Sequence, residues 1–194
     1  VISHIEGKLT EKTPTYVVID CGGVGYAIHI SLHTFEQIGA GERLKLLTHL
    51  VIKEDSHTLY GFMQEDERLL FTQLISVSGV GTNTARLMLS SLKPNDIKQA
   101  ISESNWALIK TVKGIGEKTA QKVVIDLKNK VHKTDQSGSL AFTSARNSKV
   151  EEALAALLML GFSKNEAEKG IMKIKQQNPE YSVEELVKQT LKIL

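Results

Sequence analysis

Two stretches of this 194-residue chain carry residue types and spacings suited to holding an anion. Residues 77–85 read V-S-G-V-G-T-N-T-A and residues 112–120 read V-K-G-I-G-E-K-T-A. Gly79 and Gly81 recur as Gly114 and Gly116, Val77 as Val112, Val80 as Ile115, and Thr84-Ala85 as Thr119-Ala120, each 35 positions later. Glycine reaches backbone conformations closed to other residues and lets another chain approach closely. The apolar residue between each glycine pair can point inward and pin the turn to a core. The helix that follows opens with unpaired N–H groups at the positive end of its dipole, which suits phosphate. No side chain there reads a base, so the expected contact is a sugar–phosphate backbone of any sequence. For either copy alone, an αα-hairpin that needs glycine merely to turn is the stronger reading. Duplication with matching glycines, apolar plugs and Thr-Ala steps favours backbone binding.

The candidate contact residues are Gly79, Val80, Gly81, Thr82 and Asn83 in the first copy, and Lys113, Gly114, Ile115, Gly116, Lys118, Thr119 and Lys122 in the second. The copies are unequal. Lys118 and Lys122 lie one turn apart on one helical face and Lys113 sits within the turn, whereas Thr82 and Asn83 offer hydrogen bonds without charge. The second copy is expected to supply more of the electrostatic affinity.

A second candidate is the acidic pair in Lys53-Glu54-Asp55-Ser56-His57. Taken alone it reads as a solvated hairpin tip. Facing DNA, Glu54 and Asp55 would repel phosphates and shape the path of the strands. Two carboxylates could also hold magnesium, but no third acidic ligand stands at useful spacing. No catalytic set, cofactor or metal site is expected. Gly116-Glu117-Lys118-Thr119 resembles the tail of an ATPase phosphate loop, yet glutamate separates glycine from lysine and no strand precedes it. Gly22-Gly23-Val24-Gly25 lacks the third glycine of a dinucleotide fingerprint and leads into a strand-like run, so a hairpin turn is expected there.

These residues need elements to position them. Ile2–Gly7, Tyr16–Cys21, Gly25–Ile30, Leu44–Ile52 and Thr58–Phe62 read as strands, with a short helix at Leu32–Ile38. Five strands with an inserted helix predict a small closed OB-like β-barrel over residues 1–64. Residues 65–133 read as helices around the two glycine turns, with Lys93-Pro94-Asn95-Asp96 ending one helix and starting another, and Ser104 capping the helix that carries Trp106. Residues 134–148 are small, polar and aperiodic, the composition of a flexible linker, with Leu140 and Phe142 docking at most transiently. Residues 149–194 predict a three-helix end. Val150, Leu154, Leu157 and Leu158 form one apolar stripe that Leu160-Gly161-Phe162 breaks, and Ser163/Glu166 and Ser182/Glu185 form capping boxes. Such a module behind a linker is expected to bind another protein; a purely structural cap is the alternative.

Composition fits a cytoplasmic protein, with no apolar run of membrane-spanning length and no signal pattern at the amino terminus. The single cysteine, Cys21, excludes an internal disulfide framework and reads as a buried core thiol. The net charge of +2 is uneven: residues 1–64 carry five Lys/Arg against seven Asp/Glu, residues 65–133 eleven against seven, and the remainder eight against eight. The basic excess coincides with the glycine turns, as a nucleic-acid interface requires.

Taken together, D-C-G-G-V-G-Y (20–26), E-D-S-H-T-L-Y-G-F (54–62) and the two glycine hairpins resemble the RuvA family, over essentially the whole chain. The resemblance implies an α+β multidomain protein with an OB-like barrel, two helix-hairpin-helix motifs and a UBA-like three-helix tail. It implies a homotetramer, with either one or two tetramers on the DNA, that holds an open four-way junction during recombination and repair. The glycine hairpins would grip duplex arms through the minor groove, and Glu54 and Asp55 would form an acidic pin at the crossover. The tail, through Leu157, Leu160, Gly161, Phe162 and Ile171, would bind a hexameric ATPase of the RuvB type. A junction-resolving nuclease is a further expected partner. Two departures stand out: Thr82-Asn83 where the family often has Pro-Lys, and Glu117 where it often has a basic residue. Both lower local positive charge and imply weaker salt-dependent binding. Two other classes compete: a structure-specific nuclease using Glu54 and Asp55 with magnesium, and a protein-interaction module with no DNA binding.

Overall fold

The computed structural model describes residues 2–138 and 145–194, with side chains described throughout except at 129–148 and 177. Two compact units result, Val1–Ser137 and Gly138–Leu194.

The first unit opens with β1 (His4–Lys12), β2 (Tyr16–Asp20), β3 (Gly25–His29), α1 (Leu32–Gln37), β4 (Arg43–Ile52) and β5 (His57–Phe62). The strands close into a barrel in the order β1-β2-β3-β5-β4. All pairings are antiparallel except β3 with β5, which run parallel because α1 and β4 intervene. Alternation decides the inner face: Val17 and Ile19 from β2, Ile28 from β3, and Leu44 and Leu46 from β4 are buried. Two glycines permit closure. A Cβ on Gly7 would lie 2.2 Å from the Asp20 carbonyl oxygen, and one on Gly61 would lie 2.6 Å from Ile28 Cγ2. Gly22 and Gly23 turn β2 into β3 with φ of +68° and +94°, the hairpin expected there. β1 extends five residues past the expected end at Gly7, through a register shift between Leu9 and Glu11, because it pairs with β2 as well as β4. Cys21 is only half-buried at the barrel edge, where its thiol donates to the Glu6 carbonyl; the expectation of a buried core thiol is corrected.

The helices α2 (Glu65–Ile75), α3 (Thr82–Ser91), α4 (Pro94–Ser102), α5 (Trp106–Lys110) and α6 (Glu117–Gly138) follow. Pro94 stands in the first turn of α4, where a missing N–H costs nothing. Ser104 does not cap α5. Asn105 does, accepting from the Leu108 amide, while Ser104 takes a φ of +60° and its hydroxyl accepts from Lys128 Nζ at 2.8 Å. The helical core draws on the barrel: Tyr60 and Phe62 of β5 pack with Leu70, Phe71 and Leu74 of α2. Phe71 stacks at 5.0 Å from Tyr60 and 5.1 Å from Phe62. Barrel and hairpins therefore meet in a hydrophobic seam at β5.

A buried carboxylate reinforces that seam. Glu67 accepts from the Ser31 and Thr34 hydroxyls of α1, the latter at 2.6 Å. Ser31 also caps α1 by accepting from the Thr34 amide. Burial raises the Glu67 pKa, and the two hydroxyls and His33 oppose that shift.

The second unit holds α7 (Ala145–Met159), α8 (Lys164–Gln177) and α9 (Val183–Leu191). Both expected capping boxes form, Ser163 with Glu166 and Ser182 with Glu185. α7 ends at Gly161 (φ +97°), with the Phe162 amide on the Leu157 carbonyl and the Gly161 amide on that of Leu158. That pairing is a Schellman stop. Of the expected linker, residues 134–138 continue α6 and 145–148 begin α7, while 139–144, with Leu140 and Phe142, lie outside the described residues.

Candidate nucleic-acid interface

The two glycine turns fold by one pattern of bonds. In the first, the Ser76 hydroxyl donates to the Gln73 carbonyl at 2.7 Å; in the second, Thr111 donates to Leu108 at 2.6 Å. The Val77 and Val112 amides reach Leu74 and Ile109, and the Val80 and Ile115 amides reach Val77 and Val112 at 3.0 and 3.1 Å. Gly79 and Gly114 take φ of +95° and +87°, the left-handed region that favours glycine. Val80 and Ile115 are buried plugs, as expected.

Gly81 and Gly116 have a different reason to be glycine. Gly81 has an ordinary extended backbone (φ −83°, ψ 170°). A Cβ at any of the four turn glycines would meet nothing within 4 Å. Neither backbone strain nor internal crowding demands glycine at Gly81, and no crowding demands it at Gly116. What the missing side chains leave bare is backbone at the start of α3 and α6. The first amides to bond within those helices are Ala85, to Gly81, and Ala120, to Gly116, both at 2.9 Å. No side chain caps α3. The N–H groups of residues 82–84 and 117–119 thus precede the helical ladder at two duplicated, exposed positions, the geometry that binds phosphate.

The side chains around the turns differ. Lys113, Lys118 and Lys122 are all exposed. Glu117 does not subtract freely from their charge: its carboxylate pairs with Lys110 Nζ at 2.9 Å. Thr82 and Asn83 carry no charge, and the Thr82 Oγ1 accepts from the Tyr60 phenol at 2.9 Å. Further along α3, Arg86 Nη1 donates to the Thr15 carbonyl and contacts His29 Nδ1, both at 3.1 Å. Burial, then Arg86, lowers the His29 pKa, which keeps the ring neutral and able to accept. The Ser90 hydroxyl accepts from the Leu32 amide.

Glu54 and Asp55 occupy the exposed β4–β5 turn, which Lys53 and Ser56 close through paired backbone bonds of 2.8 and 3.4 Å. The turn stiffens the pair's placement without covering it. Among the described residues no three of His, Cys, Asp and Glu gather into a metal-binding group. No helix among them is long and apolar enough to cross a membrane.

The tail corrects the expected partner surface. Leu157 and Ile171 are interior, packed with Ala153, Ala167, Ile174 and Leu186, so neither can touch a partner directly. Leu158 drops out of the expected apolar stripe: it is exposed, as are Met159, Leu160 and Met172. The reason is the helical period of α7, which turns Leu157 inward and its successors outward. Phe162 is half-buried against the tail core, and Gly161 is exposed.

Sequence reasoning missed Tyr60, Glu67, Arg86 and Lys110. It also began the repeat one residue late. Ser76 and Thr111 share the 35-residue offset and the same hydroxyl chemistry, a signal that was present in the sequence.

Comparison with known proteins matches these units in chain order. Residues 2–61 match the RuvA N terminal domain, 71–129 the SAM-like helix-hairpin-helix tandem, and 148–194 the RuvA C-terminal domain. The chain is 53% identical over 193 residues to the Holliday junction branch migration complex subunit RuvA of Christiangramia forsetii, covering all of both chains. It is 50% identical to that of Flavobacterium psychrophilum, again over all of both, and 45% identical to that of Cytophaga hutchinsonii over 99% of each. A barrel closed in this order, a duplicated glycine hairpin and a three-helix tail, matched over full length at these identities, place the chain in the RuvA family.

Proposed function

We propose that this chain is the non-catalytic, junction-binding subunit of a branch-migration complex. The observation that carries this reading is the pair of glycine turns with matching backbone bonds, bare first-turn amides and open space at all four glycines. Each turn offers a phosphate site that ignores sequence. Lys113, Lys118 and Lys122 add attraction at the second turn. The named relatives act in Holliday junction branch migration, which fits a protein that must hold DNA firmly at any sequence.

Specificity for a four-way junction needs more than backbone grip, since every duplex presents phosphates. Glu54 and Asp55 supply a negative tip that would repel strands crowding a crossover. A homotetramer would repeat grip and tip around four arms. The tail, with Leu158, Met159, Leu160 and Met172 exposed, offers an apolar surface for a hexameric ATPase that supplies the force. Recombination and repair in the cytoplasm are the setting this implies, with a junction-resolving nuclease as a further partner.

Gel-shift titration of a labelled four-way junction against duplex of equal length tests the reading. Preference for the junction at moderate salt is expected, and equal affinity would refute it. With magnesium added, intact DNA is expected; cuts abolished in Glu54→Gln would favour a nuclease instead. Removing residues 149–194 should spare junction binding and end ATPase recruitment.

A further inference from the structure

The first glycine turn lacks lysines but has a device the second does not. Tyr60 is buried, 6% exposed, its ring 5.0 Å from Phe71 and 5.8 Å from His29. Its phenol donates to Thr82 Oγ1 at 2.9 Å, and no other acceptor for that proton is found among the described residues. The packed ring fixes where the phenol points, and the phenol is the donor in this part-buried bond. Thr82 has one proton and two lone pairs. One lone pair is taken, and its own proton is left over.

At two other threonines of the helical part, Thr72 and Thr111, that proton is used internally. Thr72 donates to the Leu69 carbonyl at 2.7 Å and Thr111 to that of Leu108 at 2.6 Å. Thr82 is the first residue of α3, has no helical turn before it, and makes no such bond. It is half-exposed and adjoins Gly81, beside the bare amides. At the matching place in the second copy stands Glu117, which can only accept and is tied to Lys110.

We infer that Tyr60 is a positioning residue for the first phosphate site: its phenol holds the Thr82 hydroxyl so that the Thr82 proton is donated to a phosphate oxygen of bound DNA. The inference rests on the proposed function. It gives the uncharged turn a directed donor in place of a cation. It also ties that site to β5, which begins at His57 directly after the Glu54-Asp55 turn, three residues or about 10 Å of strand from Tyr60.

Fluorescence anisotropy with a labelled four-way junction tests it on the full chain, with Tyr60→Phe, Thr82→Val and the double variant. Tyr60→Phe keeps the ring and is expected to weaken binding about threefold, and Thr82→Val about tenfold, as loss of a hydrogen bond to a charged group does. The double variant should bind no more weakly than Thr82→Val. The slope of log affinity against log salt should not change, since no cation is removed. A purely structural role for Tyr60 would instead add its loss to that of Thr82→Val. Additive losses, or parent-like affinity in either single variant, overturn the inference. Thr82→Val carries the test alone if Tyr60→Phe lowers the melting temperature. A parent chain that shows no salt-sensitive DNA binding overturns the proposed function itself, a separate outcome.

Discussion

The two glycine hairpins share a backbone and differ in nearly everything around it. The first is neutral and bound to the barrel: Thr82 to Tyr60, Arg86 to Thr15 and His29, Ser90 to Leu32, and, through α2, Glu67 to Ser31 and Thr34. The second is basic and bonded within its own helices, Lys110 to Glu117 and Lys128 to Ser104. The two copies share the backbone proposed to hold phosphate, and one adds fixed placement where the other adds charge. Placement suits a site that must keep its distance from the Glu54-Asp55 turn. Charge suits a site that draws DNA in.

The largest effect should come from the shared backbone. Gly114→Glu places a side chain at φ +87° and a negative charge beside the bare amides, into open space that leaves the core untouched. Junction binding should fall at least about thirtyfold, roughly 2 kcal/mol, with the fold retained. Unchanged affinity in gel shifts would remove the second turn from the interface.

The lysines sharpen the contrast. Lys118→Ala with Lys122→Ala should reduce the salt slope by about 0.9 for each phosphate that a lysine no longer neutralises, whereas Asn83→Ala should weaken binding only slightly and leave the slope alone. Equal slopes for the two variants would erase the proposed difference in charge.

Glu67 tests placement. Because burial raises its folded pKa above the ordinary 4.5, the native state holds the proton more tightly than the unfolded chain does. Its contribution to stability is complete below pH 4.5 and is lost as pH rises through the higher folded value. Glu67→Gln lacks that loss, so its stability relative to the parent should improve as pH rises toward neutrality, measured by denaturant midpoints across a pH series. A difference that stays constant with pH would mean the carboxyl is not held against ionisation.

The smallest effect is expected at Glu117. Its pair with Lys110 is half-exposed and contributes little to stability, about 0–1 kcal/mol. Glu117→Gln frees Lys110 and should tighten junction binding about twofold, a gain that disappears at high salt. Weaker binding would show that the pair itself orients the turn.

Much of the architecture was legible because it is local. Strand alternation, Pro94 in the first turn of α4, the two capping boxes and the inward plugs Val80 and Ile115 each depend on residues within a few positions. Errors arose where local rules compete. Ser104 and Asn105 are both capping residues, and only the chain path into α5 selects Asn105. Leu157 and Leu158 are equally apolar, and only packing against α8 and α9 separates the buried from the exposed.

By itself the sequence determined the repeated unit, its paired glycines, the basic excess around them and the order of barrel, hairpins and tail. Spacing and composition suffice for these because helices, strands and turns form from contacts a few residues apart. Only the tertiary structure decided that Tyr60 meets Thr82 across 22 positions and that Glu67 closes on Ser31 and Thr34 across 36 and 33. Those pairs come from a parallel β3–β5 crossing and from two hydrophobic cores meeting at β5. No periodicity marks them, since the partners belong to different elements and approach only when the barrel closes. The hairpins, alike in their paired glycines, therefore differ in what each is folded against as well as in charge.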